Sequence, residues 1–259
     1  MDLEAYFRRI GYDGPREPTL RCLESLHLAH ATRIPFENLD IQLGLPIRLD
    51  LDSLQAKLVR GGRGGYCFEH NTLFAAVLAR LGFKLDTLEA RVRLGNPELS
   101  SRSHMTLKVH LAEGPWLADV GFGGEGLLGP VPFGGMEFRR FGDTHRLAEE
   151  GLRTVLQIRR PEGWFDLYAI EPEPVRPIDC IVGNHYTSTY PESRFVTTLT
   201  AQLPTPDGRH ILRNRTYTLV RHGQAEVREI QDPDDLLRLL REVFSLDFPA
   251  GTRFRNPAF

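Results

Sequence analysis

The chain has 259 residues, of which 41% are hydrophobic and 25% charged, and its formal net charge is −2. These values are typical of a globular protein with room for one large domain or two to three small ones. Acidic and basic residues are mixed along the chain, without a basic run or a basic amphipathic helix, which argues against nucleic acid or a membrane as a partner.

The N-terminal sequence and the cysteines favour a cytoplasmic location. The first residues, MDLEAYFRRIGYDG, carry charges among the apolar side chains and do not resemble a secretory signal, and no run approaches the ~18 apolar residues of a transmembrane helix. Cys22, Cys67 and Cys180 are odd in number and far apart, as expected in a reducing compartment. No spacing of Cys or His matches a metal site, so we expect no bound metal.

The first part of the chain, residues 1–84, has helical periodicity. Apolar residues recur at helical spacing in the segments 2–11, 18–32, 52–61 and 67–82. Asp2 and Asp52 are the expected N-caps of the first and third helices, because a short acidic side chain can accept the unpaired backbone N–H groups of a first turn.

From residue 85 the apolar residues alternate with polar ones, which predicts strands. The predicted strands are 85–94, 104–111, 116–122, 153–160 and 164–171. The segment 123–146 is rich in Gly, Pro and Phe and is expected to be a long surface loop, whereas the proline-rich segment 171–177 is expected to connect two domains.

The last part of the chain mixes both patterns. A helix is predicted over 177–188, and strands over 194–203, 209–220 and 225–230. A final helix over 232–244 begins with Asp232 as N-cap and Pro233 in its first turn. Helices, a β-rich block and a mixed block in this order predict the α+β class.

A glycine-rich segment, RGGRGGYCFEHN at 60–71, places Cys67 at the start of a predicted helix. The positive end of the helix dipole, with Arg63 close by in sequence, favours the thiolate and therefore a nucleophilic role. A buried cysteine that only packs is an equally good interpretation of this residue alone. Cys22 and Cys180 lack such an environment and are expected to be structural.

A nucleophilic cysteine needs a base, and the base needs an orienting group. Five histidines, namely His27, His30, His145, His210 and His222, lie in polar or loop sequences and are expected to be solvated. His70 follows Cys67 by three residues on the same predicted helix, so its ring can approach the sulfur.

His104 is the stronger candidate for the base. It opens the alternating strand HMTLKVHL, and the turn AEGP at 112–115 joins that strand to WLADVGF in an antiparallel hairpin. Asp119 then lies opposite Thr106 or Lys108 and shares a face with His104. A triad of Cys67, His104 and Asp119 is consistent with this spacing, although the sequence does not determine the register.

Several segments resemble the arylamine N-acetyltransferases. The segments that carry the resemblance are IPFENLD (34–40), RGGYCFEHN (63–71), SHMTLKV (103–109) and DVGFGG (119–124), with YFRRIGY (6–12) and NHYTSTYPESRFV (184–196) as two further matches. The resemblance implies a helical bundle at 1–84, a β-barrel at 85–176, a connecting segment at 177–200 and an α/β lid at 201–259. It also implies a catalytic core similar to those of papain-like and transglutaminase-like enzymes, with Cys67, His104 and Asp119 as the triad.

The resemblance further implies an activity and a set of binding residues. Acetyl-CoA is the implied co-substrate, no cofactor is permanently bound, and arylamines, arylhydrazines or aryl hydroxylamines accept the acetyl group from an acetyl-cysteine in a ping-pong scheme. Glu37 and Arg63 match a buried ion pair. The implied substrate-binding residues are Phe36, Tyr66, Phe122 and Phe195, and the implied CoA-binding residues are Ser103, Gly123 and Gly124.

Other functions stay open at this point. The same triad would serve a related acyltransferase or amide synthase with another acyl donor, a cysteine hydrolase, or a binding protein that has kept the fold without the activity. The sequence carries no signal for acceptor preference, acyl chain length or oligomeric state, so a homo-oligomer also stays open.

Overall fold

The computed structural model describes residues 1–96 and 100–257 of the chain. Within these residues the helices are α1 (Leu3–Ile10), α2 (Leu20–Arg33), α3 (Leu39–Gln42), α4 (Leu51–Leu54), α5 (Cys67–Arg80), α6 (Pro177–Thr189), α7 (Arg194–Thr197) and α8 (Pro233–Phe244). A π-helical segment, Gln55–Arg60, follows α4 directly.

The strands form two antiparallel sheets. They are β1 (Phe36–Glu37), β2 (Lys84–Val92), β3 (His104–Leu111), β4 (Gly114–Ala118), β5 (Val131–Pro132), β6 (Phe138–Arg140), β7 (Asp143–Glu150), β8 (Arg153–Arg160), β9 (Gly163–Pro174), β10 (Thr200–Thr205), β11 (Gly208–Arg213), β12 (Thr216–Arg221) and β13 (Gln224–Glu229). One sheet has the order β5-β4-β3-β2-β9-β8-β7-β6 and the other the order β1-β10-β11-β12-β13. The α+β class predicted from the sequence is confirmed.

The eight-stranded sheet is a nearly closed barrel, because β5 at one edge also contacts β7 near the other edge. Strand β3 has apolar side chains on one face, and this face packs against α5. Met105, Leu107 and Val109 thereby join the core of the helical part of the chain, as their alternation predicts. The hairpin of β3 and β4 thus brings the barrel against the helix that begins with Cys67.

Two further apolar cores complete the packing. One fills the barrel between β2, β8 and β9 and includes Leu156 and Tyr168. The other lies between the five-stranded sheet and α8 and includes Leu212 and Leu240. Among the described residues, no helix combines the length and hydrophobicity that a membrane crossing requires.

Most predicted helices are confirmed, including the N-caps Asp2 and Asp232. The N-cap predicted for the third helix, Asp52, is wrong. The side chain of Asp50 accepts the N–H of Ser53 instead, at 2.9 Å. Both aspartates precede the same apolar residues, and Asp50 is the one with extended backbone, the geometry of an N-cap.

Three predicted segments in the second half of the chain are wrong. The segment 123–146 contains β5, β6 and the start of β7, and Phe141 and Gly142 adopt positive φ in the tight turn between β6 and β7. The segment 209–220 is a hairpin of β11 and β12 because Asn214 turns the chain with φ of 50°. Residues 194–197 form α7 instead of a strand, and the Ser193 side chain accepts a hydrogen bond from its first turn.

A buried group of charges holds the chain that leads to Cys67. Arg63 donates to Glu37 at 2.8 Å and to Asp40 at 2.9 Å, and Lys57 lies 2.7 Å from both Asp40 and Glu69. Glu37 is fully buried and also accepts the backbone N–H of Leu39 and of Gly64. Arg63 therefore binds these carboxylates, contrary to the expectation that its charge supports the Cys67 thiolate.

The same segment leaves no space for a side chain at Gly64 or Gly65. A Cβ atom on Gly64 would lie 2.0 Å from the backbone oxygen of Pro35. The neighbouring Gly65 bonds to β1 through its carbonyl, which accepts the N–H of Glu37 at 2.7 Å. Glycine at position 64 is therefore required by close contact with the backbone of Pro35.

We expect the substitution Glu37→Ala to lower the free energy of unfolding by about 3–5 kcal/mol, because it leaves the Arg63 guanidinium buried without its main partner. Urea denaturation of the two purified proteins measures this difference. The matched control is Glu4→Ala, which removes an exposed ion pair with Arg16 and should leave the denaturation midpoint unchanged. Equal effects of the two substitutions would contradict a structural role for the buried cluster.

Candidate active site

Cys67 is the first residue of α5 and is only 3% exposed. Its sulfur lies 3.7 Å from the backbone oxygen of Ser103, the residue before β3. The backbone N–H groups of the first turn of a helix have no partner within the helix and carry its positive dipole end. The structure thus places the cysteine beside the barrel and at an electropositive position.

His104 and Asp119 form a buried pair next to this cysteine. The ring Nε2 of His104 lies 2.7 Å from Oδ2 of Asp119, and both residues are almost completely buried. In the ladder between β3 and β4, Leu107 pairs with Ala118. Asp119, the residue after β4, therefore lies on the side of Thr106. This is one of the two registers that the alternation allows.

The Asp119 carboxylate has three further hydrogen-bond donors. They are the Tyr168 hydroxyl at 2.8 Å, the Asn71 amide at 2.9 Å and the backbone N–H of Gly121 at 3.0 Å. Burial raises the pKa of Asp119, but His104 and these donors outweigh it and hold that pKa at about 2. Asp119 is therefore a carboxylate at neutral pH.

The His104 ring is held as an imidazolium. Burial lowers its pKa, but the charge and hydrogen bond of Asp119, with a smaller contribution from Cys67, raise the pKa of His104 to about 10. Because Nε2 binds Asp119, Nδ1 is the nitrogen left for the thiol. The rings of Tyr168 and Phe122 pack on the imidazole, with centroids 4.8 and 5.1 Å from its centroid.

Two residues that the sequence did not single out position this pair. Asn71, one turn along α5 from Cys67, accepts the N–H of Val120 at 3.1 Å in addition to its bond with Asp119. His27 accepts the backbone N–H of Asp119 through Nε2 at 3.2 Å. Asn71 lies within the segment RGGYCFEHN, one helical turn after Cys67, and that spacing is the sequence signal that points to it.

Gly121 allows the segment after Asp119 to approach the helix. A Cβ atom there would lie 2.8 Å from Cα of Cys67. This close approach sets the distance between the start of α5, which carries Cys67, and the end of β4, which leads to Asp119. It thereby brings the candidate triad together.

A cavity of about 460 Å³ opens beside Cys67 and His104. Of the residues implied as substrate or CoA contacts, Phe36, Phe122, Phe195, Ser103 and Gly124 lie on its wall. The rings of Phe36 and Phe195 are 5.9 Å apart and form an aromatic side of the cavity. A cavity of this size with aromatic walls suits a small ring compound.

Two of the implied contacts lie elsewhere. Tyr66 is fully buried, and its hydroxyl bonds to Asn184 in α6 instead of facing the cavity. Gly123 lines a separate small void, which it shares with Phe36 and Phe122. The aromatic ring of Tyr66 packs edge-on against Phe195, so it supports the wall from behind.

The expectation of solvated histidines is wrong for three of them, since His27, His30 and His145 are buried. His70 does not serve the sulfur either. Its Nδ1 lies 2.9 Å from Nε2 of His30, and its Nε2 lies 3.2 Å from the Pro35 oxygen. Burial lowers the pKa of His27 and of His70 to about 4, so both are neutral.

The other two cysteines have the environment of structural residues. Cys22 and Cys180 are buried free thiols, and burial raises the pKa of each, that of Cys180 to about 12. Within 1–96 and 100–257, no group of three or more His, Cys, Asp or Glu side chains could hold a metal ion.

The raised pKa of His104 and the lowered pKa of Asp119 predict how stability depends on pH. The pair stabilises the fold fully between about pH 3.8, the ordinary pKa of Asp, and pH 6.5, the ordinary pKa of His. This contribution is lost as the pH rises towards 10, where folded His104 loses its proton, and as it falls towards 2, where folded Asp119 gains one.

We therefore expect the difference in unfolding free energy between the wild type and Asp119→Asn to be largest in that window and to shrink on both sides. Urea denaturation across the pH range measures it, and NMR of the His104 ring reports its protonation directly. Asp86→Asn is the control, because it removes a pair of the same kind, with His110 at 2.7 Å, from the exposed surface. A His104 ring that loses its proton near pH 6.5 in the wild type would contradict the prediction.

Comparisons with known proteins agree with this geometry. The family model described as N-acetyltransferase matches residues 19–252. The chain is 39% identical over 255 residues to the arylamine N-acetyltransferase of Mycolicibacterium smegmatis, a match that covers 95% of this chain and 92% of that protein. It is 38% identical over 249 residues to the arylamine N-acetyltransferase of Escherichia coli (strain K12), covering 94% of this chain and 88% of that protein.

A solved structure agrees as well. The Mycobacterium marinum arylamine N-acetyltransferase in complex with CoA has a TM-score of 0.90 and 36% identity, covering 94% of this chain and 92% of that chain. The family predicted from the short sequence segments is confirmed by these matches over nearly the whole length. The chain belongs to the arylamine N-acetyltransferase family.

Proposed function

We propose that the protein transfers the acetyl group of acetyl-CoA to arylamines through an acetyl-Cys67 intermediate. The observation that carries the proposal is the buried His104–Asp119 ion pair beside Cys67, on the wall of a cavity with aromatic sides. The names of the relatives, and the CoA bound to one of them, support acetyl-CoA as donor and an aromatic amine as acceptor.

The first half-reaction loads the enzyme. The Cys67 thiolate, paired with the His104 imidazolium, attacks the carbonyl carbon of the acetyl thioester and forms a tetrahedral oxyanion. The free N–H groups at the start of α5 are the donors we assign to this oxyanion. When the intermediate collapses, the bond to the CoA sulfur breaks, and the CoA thiolate takes the proton from His104. The products are acetyl-Cys67, free CoA and a neutral imidazole.

The second half-reaction unloads it. The nitrogen of an arylamine, arylhydrazine or aryl hydroxylamine attacks the thioester carbon, and the neutral His104 accepts the proton that this nitrogen loses. The bond to Sγ of Cys67 breaks, and the thiolate–imidazolium pair forms again. Asp119 acts in both steps by holding the imidazole in one orientation and stabilising its charged form.

The cavity wall determines which molecules reach this chemistry. Phe36, Phe122 and Phe195 provide apolar surface for the aryl ring of the acceptor. Ser103 and Gly124 lie on the same wall and are the residues we assign to the CoA arm. Tyr66, which is buried behind Phe195, acts on the acceptor only through that ring.

Mass spectrometry of the intact protein tests the proposal directly. After mixing with acetyl-CoA and no amine, we expect the wild type to gain the mass of one acetyl group, and an added arylamine to remove it with formation of the acetylated amine. Cys67→Ala should gain no mass. Cys22→Ala and Cys180→Ala are the matched controls and should still be acetylated, because burial raises the pKa of both thiols and keeps them inert.

A folded wild-type protein that gains no acetyl group would refute acetyl-CoA as the donor. An acetyl group that remains in Cys67→Ala would refute Cys67 as its carrier.

A further inference from the structure

The wall of the active-site cavity carries more positive than negative charge. Among the described residues, its charged side chains apart from His104 are Glu125, Arg160, Arg194 and Arg213. Arg160 and Glu125 form an ion pair with each other, which balances their charges. The excess positive charge therefore belongs to Arg194 and Arg213.

These two arginines have no acidic partner in the part of the chain that the structure describes. Arg194 opens α7, and Arg213 is the last residue of β11, opposite Thr200 on β10. Burial and the charge of Arg194 lower the pKa of Arg213, so the two guanidinium groups act on each other as like charges. An anion bound between them would relieve this repulsion.

The neighbouring polar groups on the wall already make hydrogen bonds within the protein. The side chain of Gln202 accepts the backbone N–H of Gly124 and donates to the Thr200 hydroxyl at 2.8 Å. That hydroxyl in turn donates to the Leu212 oxygen at 3.0 Å. The guanidinium groups of Arg194 and Arg213 are thus the charged donors on this side of the cavity that remain available to a ligand.

We propose that Arg194 and Arg213 form an anion subsite of the cavity, which binds an acidic group carried by a substrate of Cys67. The subsite adjoins the aromatic side of the cavity, because Phe195 follows Arg194 in the chain and packs against Phe36. An aryl acceptor with a carboxylate can thereby place its ring on the phenylalanines and its charge on the arginines. The phosphates of CoA are the second source of the same anionic chemistry. That these ligands are substrates rests on the proposed function.

Calorimetric titration separates the two sources without any turnover. The probes are para-aminobenzoate and its neutral analogue para-aminobenzamide, and CoA and its phosphate-free portion pantetheine. Wild type, Arg194→Gln and Arg213→Gln are compared, with circular dichroism as the test of folding. We expect each variant to bind the anionic probe about tenfold more weakly than the wild type and the neutral probe equally well. Arg213→Lys, which keeps the charge, should recover part of the loss.

A loss of affinity confined to para-aminobenzoate identifies the acceptor carboxylate as the ligand of the subsite. A loss of affinity confined to CoA identifies a phosphate as that ligand. The charge control is Arg221→Gln on β12, whose side chain is 54% exposed, and it should bind all four probes as the wild type does. Raising the salt concentration should weaken binding of the anionic probes only. Equal binding of the anionic and neutral probes by the wild type, or an equal loss in Arg221→Gln, would overturn the proposal.

The mass measurement of acetyl-Cys67 keeps the two proposals apart. A protein that prefers the anionic probe through Arg194 and Arg213 but gains no acetyl group refutes the proposed function and retains the subsite. A protein that is acetylated and discharged, but binds both probes of each pair equally in all variants, refutes the subsite and retains the function.

Discussion

The buried ion pair of His104 and Asp119 is the interaction on which the arrangement of this molecule depends. Removing two charges from water is costly unless their remaining polar atoms are also satisfied. Here the donors come from three places: Asn71 on α5, Tyr168 on β9 and the backbone N–H of Gly121. The helix that begins with Cys67 must therefore lie against the barrel for the pair to be stable, and the same requirement brings Cys67 beside His104.

Burial alone does not determine the charge of a histidine in this fold. His30 and His70 are as buried as His104, but no carboxylate among the described residues bonds to their rings, and burial lowers the pKa of both. The Pro35 oxygen requires a proton on Nε2 of His70, which leaves Nδ1 to accept from His30; His30 in turn accepts from the Tyr6 hydroxyl. These rings form a neutral chain among the helices, whereas the positive charge of His104 depends on Asp119.

The sequence predicted features that follow from short-range patterns and missed those that depend on tertiary contacts. The alternation in 104–111 and the turn that follows brought His104 and Asp119 to one face, because a hairpin has few possible registers. The turn at Asn214 was missed, because a single residue with positive φ interrupts an otherwise regular alternation of apolar and polar residues. The inward position of Tyr66 was missed because only the contact with Asn184, more than a hundred residues away, shows where its hydroxyl points.

The chemistry and the selectivity of the site depend on different parts of the chain. The candidate triad is held by contacts between α5 and the barrel, whereas the cavity wall is completed by β10 and β11, through Gln202 and Arg213. Arg209 of the five-stranded sheet binds Asp143 of β7 and the backbone oxygen of Gly126. Because the ion pair at His104 needs no residue of the five-stranded sheet, substitutions in that sheet can change which molecules enter the cavity without changing the protonation of His104.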